Sequence, residues 1–230
     1  MAFRKKADLL LTHKPDILLI LECEHPDKLI FPVDTPKPTQ TLWFGKNKNK
    51  GLAIFSFSNF KFKVLDVYNE DFKMIIPIEV TGGSFDFNLF AVWAYNPNDK
   101  DGKYITQVWK AINHYDQLLR DNPTILIGDF NSNTIWDYKK HRLSNHTSVV
   151  EALEEKGIFS TYHVYHNQMQ GKEEQPTFFM YRHLDKPYHI DYCFASSNLI
   201  KKLENVEIGT HEQWTTLSDH NPLIVSFNDL

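Results

Sequence analysis

Four apolar runs of this sequence carry side chains at their ends that could do chemistry. Acids, one amide and one imidazole occupy these positions: Glu22, Asp129, Asn131, Asp191, Asp219 and His220. Apart from the imidazole they are oxygen donors, which suit a hard cation, and Mg²⁺ typically takes only one or two protein carboxylates together with water and phosphate. A cation beside an imidazole and an acid that orients it predicts hydrolysis in which water is the nucleophile.

Each of these residues also has an ordinary structural explanation. Glu22 could be a surface acid at the end of a strand, and the GDFN stretch could be a plain turn, since Asp and Asn favour turns. Asp219 and His220 could likewise lie in a turn before a strand. Asp191 is harder to explain in this way because it lies within the apolar run YHIDYCF, where an unpaired charge is costly. The joint occurrence of all these residues at strand ends favours a site at the edge of a sheet.

Buried strands must position these side chains. DILLIL runs apolar without alternation before Glu22, as a strand covered on both faces does, and TILIG before Asp129 is similar. Further strand-like runs follow the same logic and are separated by Gly, Asn and Ser: QTLWFG, GLAIFSF, KFKVLDV, MIIPIEV, FNLFAVWAY, TFFMYR, HIDYCFA, NVEIG and PLIVSF.

Three segments show the spacing of amphipathic helices. Apolar residues at steps of three and four predict helices over residues 3–13, 104–119 and 148–156. Pro15 ends the first helix and Gly157 ends the last. Many strands with three helices predict an α/β (α+β) fold in which two sheets pack face to face with helices outside. Because no repeat or linker divides the sequence, residues 1–230 are predicted to form a single domain.

Composition excludes several classes of protein. The net charge of −4 argues against binding nucleic acid by bulk charge alone, although a bound cation could supply positive charge locally. There is no HExxH or Cys/His ligand cluster, no phosphate-binding GxxxxGK[ST] loop and no GxSxG motif. Cys23 and Cys193 lie in or beside apolar runs and are predicted to be buried thiols. Without a signal peptide or a long apolar run, we expect a cytoplasmic protein that does not enter membranes.

Several of these motifs also resemble those of a known family. DILLILEC, GDFNS, HIDYCF and SDHNP, in this order, are similar to the motifs of the endonuclease/exonuclease/phosphatase superfamily, which includes exonuclease III-like and DNase I-like enzymes. GLAIFS and AVWAYNPN resemble two of its other strands, so the resemblance covers residues 3–228. It implies a four-layer α/β sandwich with two mainly antiparallel sheets, and phosphoester hydrolysis that depends on Mg²⁺, with Mn²⁺ as an alternative.

The resemblance also implies roles for the residues that bind the cation and the phosphate. By position, Glu22 is the principal metal ligand and Asp219 a second one. Asn131 would donate a hydrogen bond to the phosphate, and Tyr95 would help to stabilise the oxygens of the pentacovalent transition state.

The resemblance assigns proton transfer to the remaining residues. His220 corresponds to the general base or the phosphate-binding imidazolium, and Asp191 to the acid that holds its other nitrogen. Asp129 corresponds to the acid that orients the attacking water or protonates the leaving oxygen. An imidazole oriented by a carboxylate can handle protons near neutral pH, which suits this assignment.

The sequence departs from the family pattern in two places. The family places a strand with a WN motif, whose Asn assists metal and substrate binding, before the first helix, whereas Phe3 already lies in that helix. We therefore expect the domain to be truncated at its N-terminus and the natural protein to begin roughly ten residues earlier, the length of one strand with its turn. His189 stands where many relatives have Arg, and no role follows for it.

The sequence says less about the substrate. GKNKNKG, residues 45–51, is a compact basic loop, and an ordinary hairpin turn explains it equally well. Residues 132–146 mix basic and aromatic side chains, among them Trp136, which suits phosphate binding with base stacking but also an ordinary amphipathic loop. We expect a monomer that acts on nucleic acid or another phosphodiester. The alternatives are a phosphomonoesterase of a small metabolite and a binding module with impaired catalysis.

Overall fold

The computed structural model describes residues 3–29, 35–95, 104–137 and 144–230. The strands in this part of the chain are β1 (Ile17–Cys23), β2 (Gln40–Asn47), β3 (Lys50–Ser56), β4 (Lys61–Val64), β5 (Ile75–Thr81), β6 (Phe87–Trp93), β7 (Thr124–Asp129), β8 (Ile158–Ser160), β9 (Phe178–Phe179), β10 (Pro187–Tyr188), β11 (Asp191–Ser196), β12 (Leu203–Ile208) and β13 (Leu223–Phe227). The helices are α1 (Ala7–Leu11), α2 (Ile105–His114), α3 (Asp116–Asp121), α4 (His146–Glu154), α5 (Thr161–His166), α6 (Ser197–Ile200) and α7 (His211–Trp214).

A six-stranded sheet forms the centre of the fold, with strand order β4-β5-β6-β7-β11-β8. Neighbouring strands are antiparallel except β6 and β7, which are parallel because α2 and α3 make the crossover between them. Alternate residues of β6 face opposite sides of the sheet: Phe90 and Val92 pack toward α2 and α4, whereas Leu89 and Ala91 pack toward a second layer of strands. Both faces of this sheet are therefore covered.

The second layer consists of two smaller sheets. One has the order β1-β3-β2 and the other pairs β12 with β13. Their inner faces share a core with the six-stranded sheet, and on the outer face α1 and Trp214 of α7 pack against β1 and β3. The order of layers is helix, sheet, sheet, helix, which confirms the predicted four-layer α/β sandwich.

The predicted helix over residues 104–119 is wrong in its continuity, because α2 and α3 are separated at Tyr115. The Tyr115 ring lies in the core against Phe90, and its hydroxyl accepts a hydrogen bond from the backbone of Asn69. These contacts draw Tyr115 inward and bend the backbone there, a tertiary effect that the apolar spacing does not contain.

Other predicted elements are shorter than the sequence pattern indicates. The first helix is a 3-10 turn at Phe3–Lys5 followed by α1, and TFFMYR contributes only the two residues of β9. The strands β8 and β10 and the helices α5, α6 and α7 were not predicted. Cys23 and Cys193 are buried free thiols, as expected. None of the helices in the described ranges is long and apolar enough to cross a membrane.

Candidate active site

An imidazole and a carboxylate pair lies at the edge where the two layers of strands meet. His220 Nδ1 is 2.8 Å from Asp191 Oδ2, and the two side chains are 32% and 14% exposed. Asp191 begins β11, and His220 lies in the loop that leads into β13. The hydrogen bond fixes the ring so that its other nitrogen, Nε2, is the one available for a substrate or water.

Thr177 anchors both members of this pair. Its side-chain hydroxyl accepts hydrogen bonds from the backbone of Ile190 and Asp191, each at 3.0 Å, and its carbonyl accepts one from Asn221 at 2.7 Å. The backbone of the next residue, Phe178, forms an isolated antiparallel bridge with His220. Because Thr177 is fully buried, these bonds hold the loop of His220 against the start of β11. Thr177 was not predicted as part of the site, because a threonine beside an apolar run carries no chemical signal.

Asp129 lies directly opposite Asp191 on the neighbouring strand β7. It is 4% exposed and accepts hydrogen bonds from the backbone and the side-chain amide of Asn131, at 2.7 and 2.9 Å. The same amide also donates to the carbonyl of Ala94. Asn131 has a positive φ of 49°, which turns its side chain back toward Asp129.

Gly128 is required for this arrangement of Asp129. Its φ is +141°, and a Cβ atom at this position would collide with the carbonyl oxygen of Val92 on β6. Only glycine therefore allows β7 to approach β6 closely at the residue before the site.

Burial and the charge of Asp191 together shift the pKa values of Asp129 and His220. Burial raises the pKa of Asp129 well above its ordinary value, and the negative charge of Asp191 raises it further. Burial lowers the pKa of His220, but the charge and hydrogen bond of Asp191 outweigh burial and raise it to about 9. At neutral pH the site therefore combines an imidazolium with a buried carboxyl group whose pKa is raised.

Glu22 lies at an irregularity of the second layer. The register between β1 and β3 shifts between Ile20 and Cys23, and Glu22 has a positive φ of 57°. Its carboxylate contacts the ammonium group of Lys50 at 2.6 Å. Burial raises the pKa of Glu22, but the hydrogen bond and charge of Lys50 act against it and leave that pKa below its ordinary value. The strained backbone and the bound ammonium group indicate a carboxylate turned toward a cation.

Lys50 and Lys6 are further functional candidates, although neither was predicted as a site residue. GKNKNKG forms the turn of the β2-β3 hairpin, which agrees with the ordinary hairpin turn that was one of its two explanations. Its Lys50 nevertheless contacts Glu22 and also lies over the ring of Trp93. Burial lowers the pKa of Lys6, whereas the charges of Asp219 and Glu22 oppose that shift. A polar residue at the buried end of an amphipathic helix was the signal available for Lys6.

The donor set fits a magnesium ion better than a metal held wholly by protein. Within the described ranges, no group of three or more His, Cys, Asp or Glu side chains could hold a metal ion. Mg²⁺ needs only one or two carboxylates, with water and phosphate completing its shell. Glu22 and Asp219 supply two such carboxylates, both lining the same cavity, and Glu22 already holds a cationic group. The residues present thus fit Mg²⁺.

Trp136 and Tyr95 have different surroundings. The Trp136 ring is 41% exposed and begins a row of aromatic rings that reaches the imidazole: Trp136 to Tyr188 at 5.2 Å, Tyr188 to Phe178 at 6.4 Å, and Phe178 to His220 at 4.7 Å. Tyr95 follows β6, and its ring packs on Trp93 at 5.3 Å. No hydrogen bond joins its hydroxyl to another described residue.

The basic residues predicted at 138–143 lie outside the described residues.

His189, the departure from the family pattern, is a buried ring beneath the site. Its Nδ1 is 2.8 Å from the carbonyl of Gln175, and its ring packs against Tyr162 and Tyr192. Burial lowers its pKa, so the ring is neutral. Its carbonyl accepts a hydrogen bond from Asn133 at 2.9 Å, which ties the loop after β7 to the residues before β11.

Comparison with solved structures gives a consistent set of relatives. A 3′ phosphatase from Neisseria, solved with a product DNA hairpin, is 21% identical with a TM-score of 0.69, and the match covers 98% of this chain and 94% of that one. A 3′-5′ exonuclease from Neisseria meningitidis is 19% identical with a TM-score of 0.68, covering 98% and 96%. An AP endonuclease from Archaeoglobus fulgidus is 19% identical with a TM-score of 0.67, covering 99% and 96%.

These structural similarities establish the fold. A search of curated protein sequences gave no match. The model of the endonuclease/exonuclease/phosphatase family matches residues 7–220, which include Glu22, Asp129, Asp191 and His220. The four-layer sandwich, the acids at its strand ends and this match lead to one conclusion: the chain belongs to the endonuclease/exonuclease/phosphatase family, whose members cleave phosphoester bonds.

Proposed function

We propose that this protein is a Mg²⁺-dependent phosphodiesterase that hydrolyses nucleic acid. The observation that carries the proposal is the pair of Asp191 and His220, joined at 2.8 Å and lying opposite the buried Asp129. A binding module would gain nothing from these groups, because a buried carboxyl group and an imidazole tied to a carboxylate are costly to bury. Their arrangement suits proton transfer at a phosphate.

His220 and Asp129 divide the proton chemistry in this proposal. Asp191 holds His220 Nδ1, so that Nε2 faces the phosphate and donates a hydrogen bond to its oxygen while the ring is protonated. Asp129, whose pKa burial raises, orients the attacking water or delivers a proton to the leaving oxygen. Asn131 keeps Asp129 in place and would donate to the phosphate once its amide releases the carbonyl of Ala94, and Tyr95 lies at the end of the adjacent strand.

The charge on the phosphate requires a cation as well. Glu22 and Asp219 would hold Mg²⁺, and the bound ion would neutralise negative charge that develops during phosphoryl transfer. Mn²⁺ has the same preference for oxygen ligands and would replace it. Lys50 contacts Glu22 in the structure and would have to move aside or share the carboxylate.

The row of aromatic rings favours nucleic acid over a small phosphodiester. Trp136 offers an exposed face some distance from His220, with Tyr188 and Phe178 between them. Bases stack on such rings at a gain of about 1–3 kcal/mol each, whereas a small ester would not reach Trp136. One relative described above was solved with a product DNA hairpin, and the other two are described as a 3′-5′ exonuclease and an AP endonuclease, which is consistent with this choice.

A phosphatase acting on the 3′ end of DNA is a second candidate. It would use the same Asp191 and His220 pair and the same aromatic row, and one of the relatives is described as a 3′ phosphatase. The two activities differ only in the leaving group, so a single panel of substrates separates them.

The experiment uses labelled DNA duplexes that are intact, abasic at one position or phosphorylated at the 3′ end, together with bis-p-nitrophenyl phosphate. We expect Mg²⁺-dependent hydrolysis of at least one duplex, loss of turnover with EDTA, and recovery with Mg²⁺ or Mn²⁺. Turnover that is unaffected by EDTA would contradict the proposal. Release of phosphate from the 3′-phosphorylated duplex alone would select the second candidate.

A pair of variants tests whether the substrate is a nucleic acid. Trp136→Ala should raise KM for DNA by roughly 5–150-fold, the equivalent of losing one stacked base, and leave turnover of bis-p-nitrophenyl phosphate unchanged. Tyr165→Ala is the matched control, because Tyr165 is 44% exposed and lies on α5. If both variants bind DNA as the unmodified protein does, the aromatic row is not the DNA-binding surface.

A further inference from the structure

A buried carboxylate that the proposed mechanism does not use lies in the loop between α5 and β9. The side chain of Glu173 is 4% exposed. Its Oε1 atom accepts a hydrogen bond from the backbone of Gly171 at 2.9 Å and lies 3.0 Å from His163 Nε2, and its Oε2 atom accepts one from the side-chain amide of Asn133 at 3.2 Å. Burial raises the pKa of Glu173, but the hydrogen bonds, above all that with His163, outweigh burial and lower it to about 2. At neutral pH Glu173 is therefore a buried anion that needs these donors in place.

Glu173 and His163 also form a row with Ser160 that has the composition of a hydrolytic triad. The Ser160 hydroxyl lies 2.7 Å from His163 Nδ1, and Glu173 lies at the opposite ring nitrogen. All three side chains are almost fully buried, so no substrate reaches the serine. The row is therefore not a second catalytic site, and it fixes the carboxylate of Glu173 from the side of α5.

Asn133 is the residue that Glu173 holds on its other side. The side chain of Asn133 is buried, and its amide nitrogen also donates to the carbonyl of His189 at 2.9 Å and to the hydroxyl of Tyr192 at 3.0 Å. An amide nitrogen has two N–H groups, so these three acceptors share them. Its oxygen accepts a hydrogen bond from the backbone of Ile135 at 3.0 Å. Asn133 thus joins the loop after β7 to the start of β11.

The two segments joined in this way carry residues of the candidate site. Asn131 and Trp136 lie two residues before and three residues after Asn133. Asp191 lies between the two residues that Asn133 contacts at the start of β11. A displacement of Asn133 would therefore change the distance between Asn131 and the pair of Asp191 and His220.

We propose that Glu173 and Asn133 are positioning residues of the hydrolytic site, an inference that rests on the proposed function. Both are buried beneath the site and act through the residues that they hold. Glu173 holds the amide of Asn133, and Asn133 keeps the loop of Asn131 and Trp136 at a fixed distance from Asp191. Because a displacement of about 1 Å at a reacting group can lower a rate about a hundredfold, hydrogen bonds this far from the phosphate can control turnover.

Exchange of one carboxylate for an amide tests the link between Glu173 and Asn133. Glu173→Gln keeps an oxygen for Gly171 and His163 but turns an N–H donor toward the amide of Asn133, which is itself a donor. We expect kcat for DNA hydrolysis to fall about 10–100-fold at saturating Mg²⁺, and KM to change less than kcat. Glu174→Gln is the matched control, because it removes the same charge from the next residue, which is exposed, and kcat should not change.

A double-mutant cycle separates a shared link from two independent effects. Asn133→Ala removes the amide that Glu173 holds and should lower kcat by at least as much as Glu173→Gln. The double variant should fall no further than Asn133→Ala, because both substitutions break the same link. Reductions that multiply in the double variant would show that the two residues act independently, which contradicts the proposal.

Hydrogen exchange examines the same link without catalysis. The backbone N–H of Ile135 donates to Asn133 and should exchange about tenfold faster in Glu173→Gln, whereas that of Leu126 in the middle of β7 should not change. Should Glu173→Gln fail to fold, Tyr192→Phe removes another acceptor of the same amide and keeps the ring in the core. In that variant we expect kcat to fall by about three- to tenfold.

Three results would overturn the proposal. They are an unchanged kcat in the folded variants, a rise in KM with unchanged kcat, and equal acceleration of exchange at Ile135 and Leu126, which would indicate general destabilisation. Failure of the proposed function gives a different result. An unmodified protein without turnover of any DNA substrate would contradict the hydrolase, whereas exchange at Ile135 would still show whether Glu173 holds Asn133.

Discussion

The two layers of strands differ in how completely their strands are paired and buried. All seven residues of β6 are buried, because β5 and β7 flank this strand and other layers cover both of its faces. In the facing layer, five of the seven residues of β1 and all five residues of β13 are partly exposed. The difference shows that apolar sequence alone does not bury a strand, since β1 and β13 are as apolar as β6. Burial also needs a neighbour at each edge.

The candidate site straddles this difference. Asp129 and Asp191 come from adjacent strands of the closed sheet and are held by Asn131 and Thr177. Glu22 comes from the divided layer, at a register shift, and its carboxylate is 44% exposed. The part of the site that handles protons is therefore rigid, and the part that would hold the cation is more adjustable. Predictions that separate the two parts follow, from the largest effect to the smallest.

Matched substitutions of two acids should separate the halves of the site by activity. Asp191→Asn leaves the imidazole of His220 without its charge partner, and kcat for DNA hydrolysis should fall by about 10²–10⁴-fold at any Mg²⁺ concentration. Asp219→Asn removes one of two proposed cation ligands, so higher Mg²⁺ should restore most of its activity. Titration of both variants with Mg²⁺ makes the comparison. Recovery of Asp191→Asn by Mg²⁺ would contradict the division of roles.

Truncation of one leucine in each layer should differ in stability. Leu126→Ala on β7 removes a side chain that is 1% exposed and should lower the free energy of unfolding by about 2–5 kcal/mol. Leu223→Ala on β13 removes a partly exposed side chain and should cost about 1 kcal/mol. Urea unfolding measures both values. Equal losses would mean that β13 is packed as tightly as the closed sheet.

The pH dependence of stability tests how well the closed sheet excludes water. His146 of α4 is fully buried against Tyr192, and burial lowers its pKa to about 4. Between pH 6.5 and 4 the unfolded chain binds a proton at His146 that the native protein does not bind. Stability should therefore fall by about 3 kcal/mol as the pH falls through this range.

His146→Leu isolates this contribution from the other histidines. The variant should lose about 3 kcal/mol less than the unmodified protein over the same pH range, as measured by urea unfolding at each pH. Parallel pH profiles for the two proteins would show that water reaches His146 in the native state.

The smallest expected change in kcat is that of substitutions at Thr177, which holds Asp191 in place. Thr177→Val keeps the shape of the side chain but removes the acceptor for two backbone N–H groups, at Ile190 and Asp191. We expect kcat to fall about tenfold through displacement of Asp191, with KM unchanged, and Thr177→Ser to restore it. A change in KM alone would place Thr177 in substrate binding instead.

The sequence allowed the sandwich and most of its strands to be predicted, because the mostly apolar composition of runs such as TILIGD and FNLFAVW indicates buried strands. It did not allow the break at Tyr115 to be predicted, since that break depends on contacts with Phe90 and Asn69. The division of the second layer is likewise invisible in the run DILLIL. Its apolar residues read as a strand covered on both faces, and the pattern says nothing about its edges.

The candidate site was predictable in its charged members and not in its supports. Asp191 and His220 stood out because an acid within an apolar strand needs a partner, and the structure pairs them. Thr177 and Lys50 act through distant contacts, to Asp191 and to Glu22, that leave no local pattern. The roles of these residues in hydrolysis remain predictions.

The most direct test of the central claim is the single-turnover rate of DNA hydrolysis by His220→Ala with saturating Mg²⁺. We expect the rate at saturating DNA to be about 10²–10⁴-fold below that of the unmodified protein, with an unchanged far-UV circular dichroism spectrum. A variant that cleaves DNA at the unmodified rate would show that the pair of Asp191 and His220 is not the catalytic centre.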